Sequence, residues 1–202
     1  MEIILVKLLM RWIILKSFFS YNDIMNFKID YNEPHWHKLT FIYLIYNMNL
    51  KVNDKAPNFK LAGTDGNIFE LNKVKKKNII LYFYPKDDTP GCTIESKDFS
   101  KLNSLINKNK TIVLGISKDS IESHLKFKKK YKLKFDLLSD EKKEVIKKYG
   151  VWGKKSFLGK EFMGIIRTTF LINSKGKIHK IWNNVRVKDD AKEVFEELKN
   201  LN

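Results

Sequence analysis

The 202-residue sequence holds a single cysteine, Cys92. One thiol excludes an intrachain disulfide and argues for a reducing, intracellular compartment, with cytoplasm, nucleus and organelle all open. Long apolar runs are also missing. Residues 1–20 are hydrophobic but broken by Lys7, Arg11 and Lys16, and a spanning helix needs roughly 18 uninterrupted apolar residues. A secretory signal is equally unsupported, because Ser17-Phe-Phe-Ser20-Tyr21 is not a convincing cleavage site. Acidic residues are scarce, 23 against 39 basic ones, leaving a net charge of +16. Such a charge attracts nucleic acid, membrane surfaces or anionic partners. No nucleic-acid motif accompanies it, and the simpler reading is a lysine-rich composition carried on solvated faces.

What is present begins to make sense at residue 48. The first 47 residues carry five basic and four acidic side chains, so nearly all the excess charge lies beyond them. They read as a leader, an extension or a gene-model artefact, with Met48 a plausible start. Pro34-His35-Trp36-His37 offers two histidines at alternate positions, but further metal ligands are lacking and a chance pair explains them. Residues 48–202 form the domain, and a hydrophobic content of 43% is enough to give it a core.

That domain is organised around Asn78-Ile-Ile-Leu-Tyr-Phe-Tyr84-Pro85 and the Lys86–Cys92 segment that follows. Ile79–Tyr84 is an apolar, β-branched and aromatic run suited to a central strand. Pro85 ends it, since proline cannot donate to a ladder. Thr89 is a good N-cap and Pro90 suits the first helical position. Cys92 then falls at the third helical position, whose N–H an N-cap hydroxyl can reach. The spacing therefore predicts Thr89 Oγ1 and Cys92 as neighbours at the positive end of a helix. A lone thiol there is a poor structural device and a good nucleophile.

Around it, residues 59–71 read as two short strands joined at Thr64-Asp65-Gly66-Asn67. The helix after Thr89 is expected to bury Ile94, Phe99, Leu102, Leu105 and Ile106. Thr111–Ser117 is a strand, and Ser120 caps a helix to Tyr131 with Ile121, His124, Leu125 and Phe127 or Lys128 to one side. Phe135–Leu138 is a short strand. Asp140 caps a helix ended by Gly150. Residues 151–164 read as a long loop, 165–172 and 177–182 as strands joined at Asn173–Gly176. Asp189 or Asp190 starts the last helix, with Val194, Phe195 and Leu198 inward. The order βαβ then ββα is an α/β, thioredoxin-like plan: a central mixed β-sheet flanked by helices.

The spacing Pro85-x-x-x-Thr89-x-x-Cys92 resembles the active-site motif of peroxiredoxins. Tyr84-Pro-Lys-Asp-Asp-Thr-Pro-Gly-Cys-Thr93 is similar to their Q-type branch, the bacterioferritin comigratory proteins. Tyr149-Gly-Val-Trp-Gly153, Gly159-Lys160, Gly164-Ile-Ile-Arg167-Thr-Thr-Phe-Leu-Ile172 and Gly176-Lys-Ile178 agree with it. The likeness covers about residues 49–200. It implies that Cys92 is the peroxidatic cysteine, that Pro85, Thr89 and Arg167 complete the site, and that hydrogen peroxide and alkyl hydroperoxides are reduced without metal, haem or other cofactor. It implies a peroxide substrate and an external thiol reductant, thioredoxin or glutathione with glutaredoxin, acting on a monomer or homodimer. One departure matters. The resolving cysteine that most Q-type members carry five residues on is Lys97 here, which leaves a one-cysteine cycle.

A thiol with a pKa near 8.5 is only a few per cent ionised at neutral pH, and a two-unit drop takes about 2.7 kcal/mol. A helix terminus supplies about 0.3–1 kcal/mol. A charged hydrogen bond from Arg167 supplies about 1.5–3 kcal/mol. Glu95, one turn on, either buttresses Arg167 or is solvated. His124 and His179 read as core or surface histidines. Two other readings stay open: a basic nucleic-acid-associated protein using the clusters Lys73–77, Lys126–134, Lys142–148 and Lys154–155, and a redox sensor that passes oxidation to a partner.

Overall fold

The computed structural model describes residues 50–157 and 159–201. The readings on residues 1–47, the His35/His37 pair and the Met48 start lie outside these residues. Strand β3 (Asn78–Phe83) is buried at all six positions. A strand apolar on both faces needs neighbours on both edges and layers above and below. It pairs in parallel with β4 (Thr111–Ser117), with Ile80 opposite Val113. On its other edge it pairs antiparallel with β8 (Thr168–Ile172), with Ile80 opposite Leu171. The seven-stranded mixed sheet is completed by β1 (Lys60–Gly63), β2 (Ile68–Glu70), β5 (Asp136–Ser139) and β9 (Ile178–Asn183), in the order β2-β1-β5-β4-β3-β8-β9.

Alternation along β3 divides the interior. Ile79, Leu81 and Phe83 enter one core with Leu114, Ile116, Val145, Ile146, Tyr149 and Phe170. Ile80, Tyr82 and the following Tyr84 enter the other with Cys92, Phe99, Phe127, Val194 and Leu198. Helix α3 (Glu144–Lys148) thus covers one face, and α1 (Pro90–Lys108), α2 (Ile121–Tyr131) and α4 (Asp190–Leu201) cover the other. This is the thioredoxin-like α/β arrangement expected from the element order. Gly115 is required within it: a Cβ there would lie 2.7 Å from the Tyr82 ring and hydroxyl and 2.8 Å from Leu137.

Local signals at helix ends are good guides. Ser120 Oγ accepts from Ser123 N. The N-cap of α3 is Lys143, three residues past the expected Asp140, but the Asp140 carboxylate reaches across the turn to accept from Glu144 N at 3.1 Å and Ile146 N at 2.8 Å. Gly150 follows in the left-handed region at φ +70°.

The inward face of α1 differs from the expected stripe. Cys92, Glu95, Ser96, Phe99, Ser100, Asn103 and Ile106 are buried, while Ile94 and Leu105 are exposed. The face is phased from Cys92 at helical spacing, and its polar members are buried because each finds a partner. Ser96 bonds the Tyr82 hydroxyl, Ser100 Oγ accepts from Lys134 N, and Asn103 donates to the Lys134 carbonyl. A hydrophobic count reads past such residues. On α2, likewise, His124 and Phe127 are buried and Leu125 is exposed.

The expected loop over 151–164 is a hairpin, β6 (Trp152–Phe157) and β7 (Lys160–Ile165), forming its own two-stranded sheet. Its lysines and glycines hide the period-two signal, but the register is continuous from Trp152–Ile165 to Phe157–Lys160. The expected strand over 165–172 is therefore two strands in different sheets. Ile166 and Arg167 form the break between them.

Candidate active site

The site assembles at the end of β3, where the chain turns through Pro85–Asp88 into α1. Asp88 takes a left-handed φ of +55° in this turn. Its carboxylate accepts from Lys130 Nζ at 2.6 Å and Tyr131 Oη at 2.5 Å, which ties the turn to α2. A second and buried tie lies beneath. Asp87 accepts from Tyr84 Oη at 2.7 Å and Ser123 Oγ at 2.7 Å, and its Oδ2 lies 2.9 Å from His124 Nδ1. His124 Nε2 lies 3.2 Å from the Leu138 carbonyl. His124 is thus a core residue, but one that fastens the loop leading to Cys92.

Thr89 stands at the N-cap with extended backbone, and Pro90 follows at the first helical position, as the spacing predicts. The side-chain cap is absent. Thr89 Oγ1 donates to the Lys86 carbonyl at 3.1 Å instead of meeting the Cys92 amide. The tight turn through Asp88 brings that carbonyl back to the hydroxyl. The first intrahelical bond closes at Thr93 N to Thr89 O, so the Gly91 and Cys92 amides stand in the unpaired first turn. Pro85 is half-buried where β3 ends.

Cys92 is 1% exposed, within the core that holds Tyr82, Tyr84 and Phe99. A sulfur so placed would be an inert hydrophobe but for Arg167. Arg167 Nη2 donates to Cys92 Sγ at 3.3 Å, and its Nη1 pairs with Glu95 Oε2. Cys92 and Arg167 are 75 apart in sequence and are brought together by strand pairing. Phe83 stands opposite Thr168 across β3 and β8, so the residue before Thr168 arrives beside the loop that leaves β3. Gly91 lies beside the guanidinium: a Cβ there would sit in ordinary van der Waals contact, 3.5 Å from Arg167 Nη2 and 3.5 Å from Val187. Of the residues singled out from sequence, Cys92, Arg167 and Glu95 therefore meet, while the Thr89 hydroxyl and His179 are turned elsewhere. His179 Nε2 lies 3.0 Å from Glu197.

Glu95 is fully buried, and its Oε1 accepts no hydrogen bond from the described residues. Burial pushes its pKa up to about 8, against the pull of Arg167 and with the help of Asp190. Asp190, at the start of α4, is itself raised to about 6 by burial, although Thr169 donates to it at 3.2 Å. The guanidinium therefore bridges the sulfur and a carboxyl group whose burial favours its protonated form. Burial disfavours the Arg167 cation, but Glu95 and Cys92 outweigh it and raise its pKa. Lys155 is a further member of the neighbourhood that no motif points to. Its Nζ donates to the Ile165 carbonyl at 3.0 Å. Burial, then repulsion from Arg167, lowers its pKa, and Cys92 opposes this. Sequence reading places it only in the basic Lys154–155 cluster, because residues 151–164 carry no readable period.

Residues 52–181 match the AhpC/TSA family. Over 154 residues the chain is 42% identical to the peroxiredoxin Bcp of Bacillus subtilis, covering 76% of this chain and 98% of the relative. The chain is a peroxiredoxin of the AhpC/TSA family, on the Bcp branch. Solved structures agree. A mutant of PrxQ from Xylella fastidiosa superposes with a TM-score of 0.72 at 32% identity, covering 76% of this chain and 98% of that one. The bacterioferritin comigratory protein of Xanthomonas campestris gives 0.69 at 33% identity, covering 75% and 97%. Membership makes this peroxiredoxin a thiol-dependent peroxidase, and its single cysteine fits a one-cysteine cycle. Among the described residues, no helix is long and apolar enough to cross a membrane.

Proposed function

We propose that Cys92 is the peroxidatic nucleophile, that Arg167 holds its thiolate and then the oxygen it displaces, and that a thiol from outside the chain closes the cycle. The observation that carries this is the guanidinium fork, one arm on the only sulfur of a cysteine and the other on a buried carboxyl. The Cys92 thiolate attacks the terminal oxygen of the hydroperoxide. A sulfur–oxygen bond forms as the oxygen–oxygen bond breaks, and the alkoxide or hydroxide leaves and takes up a proton. Charge growing on that leaving oxygen is met by Arg167 and by the free Gly91 and Cys92 amides, as in an oxyanion hole. The Thr89 hydroxyl joins them by rotating away from the Lys86 carbonyl. Pro85 shields the thiolate from water.

The product is a Cys92 sulfenic acid. An external thiol attacks it, releases water and leaves a mixed disulfide, and a second thiol frees Cys92. If the thiol is slow, further peroxide drives the sulfur to sulfinic acid. The bacterioferritin comigratory protein of Xanthomonas campestris has alkyl peroxide reduction activity, and by extension both hydrogen peroxide and alkyl hydroperoxides are substrates here. The reductant is thioredoxin, or glutathione with glutaredoxin, in a reducing intracellular compartment, and the working unit is a monomer or homodimer. Residues 48–202 are the functional domain, and residues 1–47 a leader, extension or gene-model artefact. Mass spectrometry of the native N-terminus tests the last point, an intact Met1 ruling out both a removed leader and an artefact.

The deciding experiment follows peroxide consumption with each reductant system in turn. Cys92→Ser should abolish turnover, and wild-type activity in that variant would end the proposal. Several cluster lysines already pair with carboxylates, Lys128 with Asp136 and Lys130 with Asp88 among them. A nucleic-acid role would need DNA affinity that falls steeply with salt.

A further inference from the structure

The hairpin β6–β7 leads directly into Arg167, and it carries a second cation with it. Lys155 is half-buried, unlike its neighbour Lys154, whose side chain is 79% exposed and lies 3.8 Å from Glu161 at the surface. Successive residues of a strand point to opposite faces, so the two lysines serve different sides of one ribbon. The Lys155 stem is confined. It stands across from Phe162 in the register, and a Cβ at Gly164 would come within 3.3 Å of both the stem and the Phe162 ring. Its Nζ is fixed on the carbonyl of Ile165, two residues before Arg167. An ammonium has three donors, and among the described residues Ile165 takes one by hydrogen bond.

We propose that Lys155 is a second cation of the Cys92 site and that it favours anionic over neutral reagents at the sulfur. The geometry supports this. Lys155 Nζ is held on the backbone two residues before Arg167, whose guanidinium donates to Cys92 Sγ at 3.3 Å. The direction of its own ionisation agrees, lowered by burial and by Arg167 and raised by Cys92. In a half-buried site such a charge is only partly screened by salt. The peroxide class it would select carries a carboxylate near the hydroperoxide.

The proposal rests on Cys92 being the reacting thiol, but its test does not require turnover. The full chain, reduced, is alkylated at Cys92 with iodoacetate and separately with iodoacetamide, at neutral pH and low ionic strength. Both reagents form the same carbon–sulfur bond and expel iodide, and only one is an anion. Taking the ratio of their rates cancels any change in thiolate fraction or folding. Lys155→Gln should lower the iodoacetate-to-iodoacetamide ratio roughly three- to tenfold, an effect that shrinks in high salt. Lys155→Arg should restore it, and Lys154→Gln should leave it unchanged. An unchanged ratio in Lys155→Gln, an equal fall in Lys154→Gln, or no rescue by arginine would each overturn the assignment. Loss of peroxidase activity with the alkylation pattern intact would instead count against the peroxidase reading alone.

Discussion

Replacing Arg167 by alanine tests the central interaction most directly. The guanidinium makes two bonds, one to Cys92 Sγ at 3.3 Å and one to the buried Glu95 carboxyl. A hydrogen bond to a charged partner contributes about 1.5–3 kcal/mol. Losing it from the reacting sulfur corresponds to a rate loss of about ten- to 150-fold. Breaking a buried ion pair ordinarily destabilises a protein by about 3–5 kcal/mol, because the orphaned charge stays buried. Here Glu95 holds its proton up to about pH 8. At pH 7 the orphan is therefore mostly neutral, and the stability loss should fall below that range. The rate is measured as the second-order constant for Cys92 oxidation by hydrogen peroxide, in competition with a reporter peroxidase of known rate. Urea denaturation gives stability on the same samples. Arg167→Lys should be almost as slow as alanine, because an ammonium lacks the planar fork that reaches both partners. Combining Arg167→Ala with Glu95→Gln should leave both rate and stability at pH 7 close to those of Arg167→Ala alone. A folded Arg167→Ala protein reacting within threefold of the parent would refute the reasoning.

Glu95→Gln alone should leave the pH 7 rate nearly unchanged. Because the folded state keeps the Glu95 proton from the ordinary value of 4.5 up to about 8, it binds more protons than the unfolded chain across that window, and stability falls as pH rises through it. The glutamine variant should flatten this slope in urea titrations between pH 5 and 8; an unaltered slope would place the titration elsewhere. Gly115→Ala forces a Cβ to 2.7 Å from Tyr82 and should cost about 1–3 kcal/mol by overpacking, read from the urea midpoint. His124→Leu removes the ring nitrogen 2.9 Å from the buried Asp87 carboxylate. It should lower Tm by roughly 5–10 °C, at about 2–4 °C for each kcal/mol, and loosen the loop before Cys92. Thr89→Val should slow the peroxide reaction by less than Arg167→Ala, since the hydroxyl rests on the Lys86 carbonyl.

What is legible in the sequence is mostly local. The β3 run, the Thr89-Pro90 helix start, the Ser120 cap and the turns at Thr64–Asn67 and Asn173–Gly176 each depend on a few adjacent residues. Their backbone preferences are nearly independent of the rest of the chain, so they can be read without it. Where a boundary depends on a distant partner, such reading fails. The α1 stripe is misphased by a hydrophobic count because Glu95, Ser96, Ser100 and Asn103 are buried through bonds to remote residues, two of them to Lys134. The hairpin at 152–165 escapes notice because its strands are stabilised by each other, not by an alternating apolar pattern. The Thr89 hydroxyl departs from its expected cap for a local reason, since the turn itself brings the Lys86 carbonyl to it as a competing acceptor.

Sequence alone determined that this protein has one thiol, that a helix begins just before it, and that no second cysteine can resolve it. Those facts follow from composition and from short-range sterics. Tertiary structure alone decided what surrounds the sulfur. The antiparallel pairing of β3 with β8 carries Arg167 across 75 residues to Cys92, burial raises the Glu95 pKa, and the β6–β7 ribbon fixes Lys155 Nζ on the Ile165 carbonyl. Such placement depends on strand register and on desolvation, and neither exists until the chain has closed on itself.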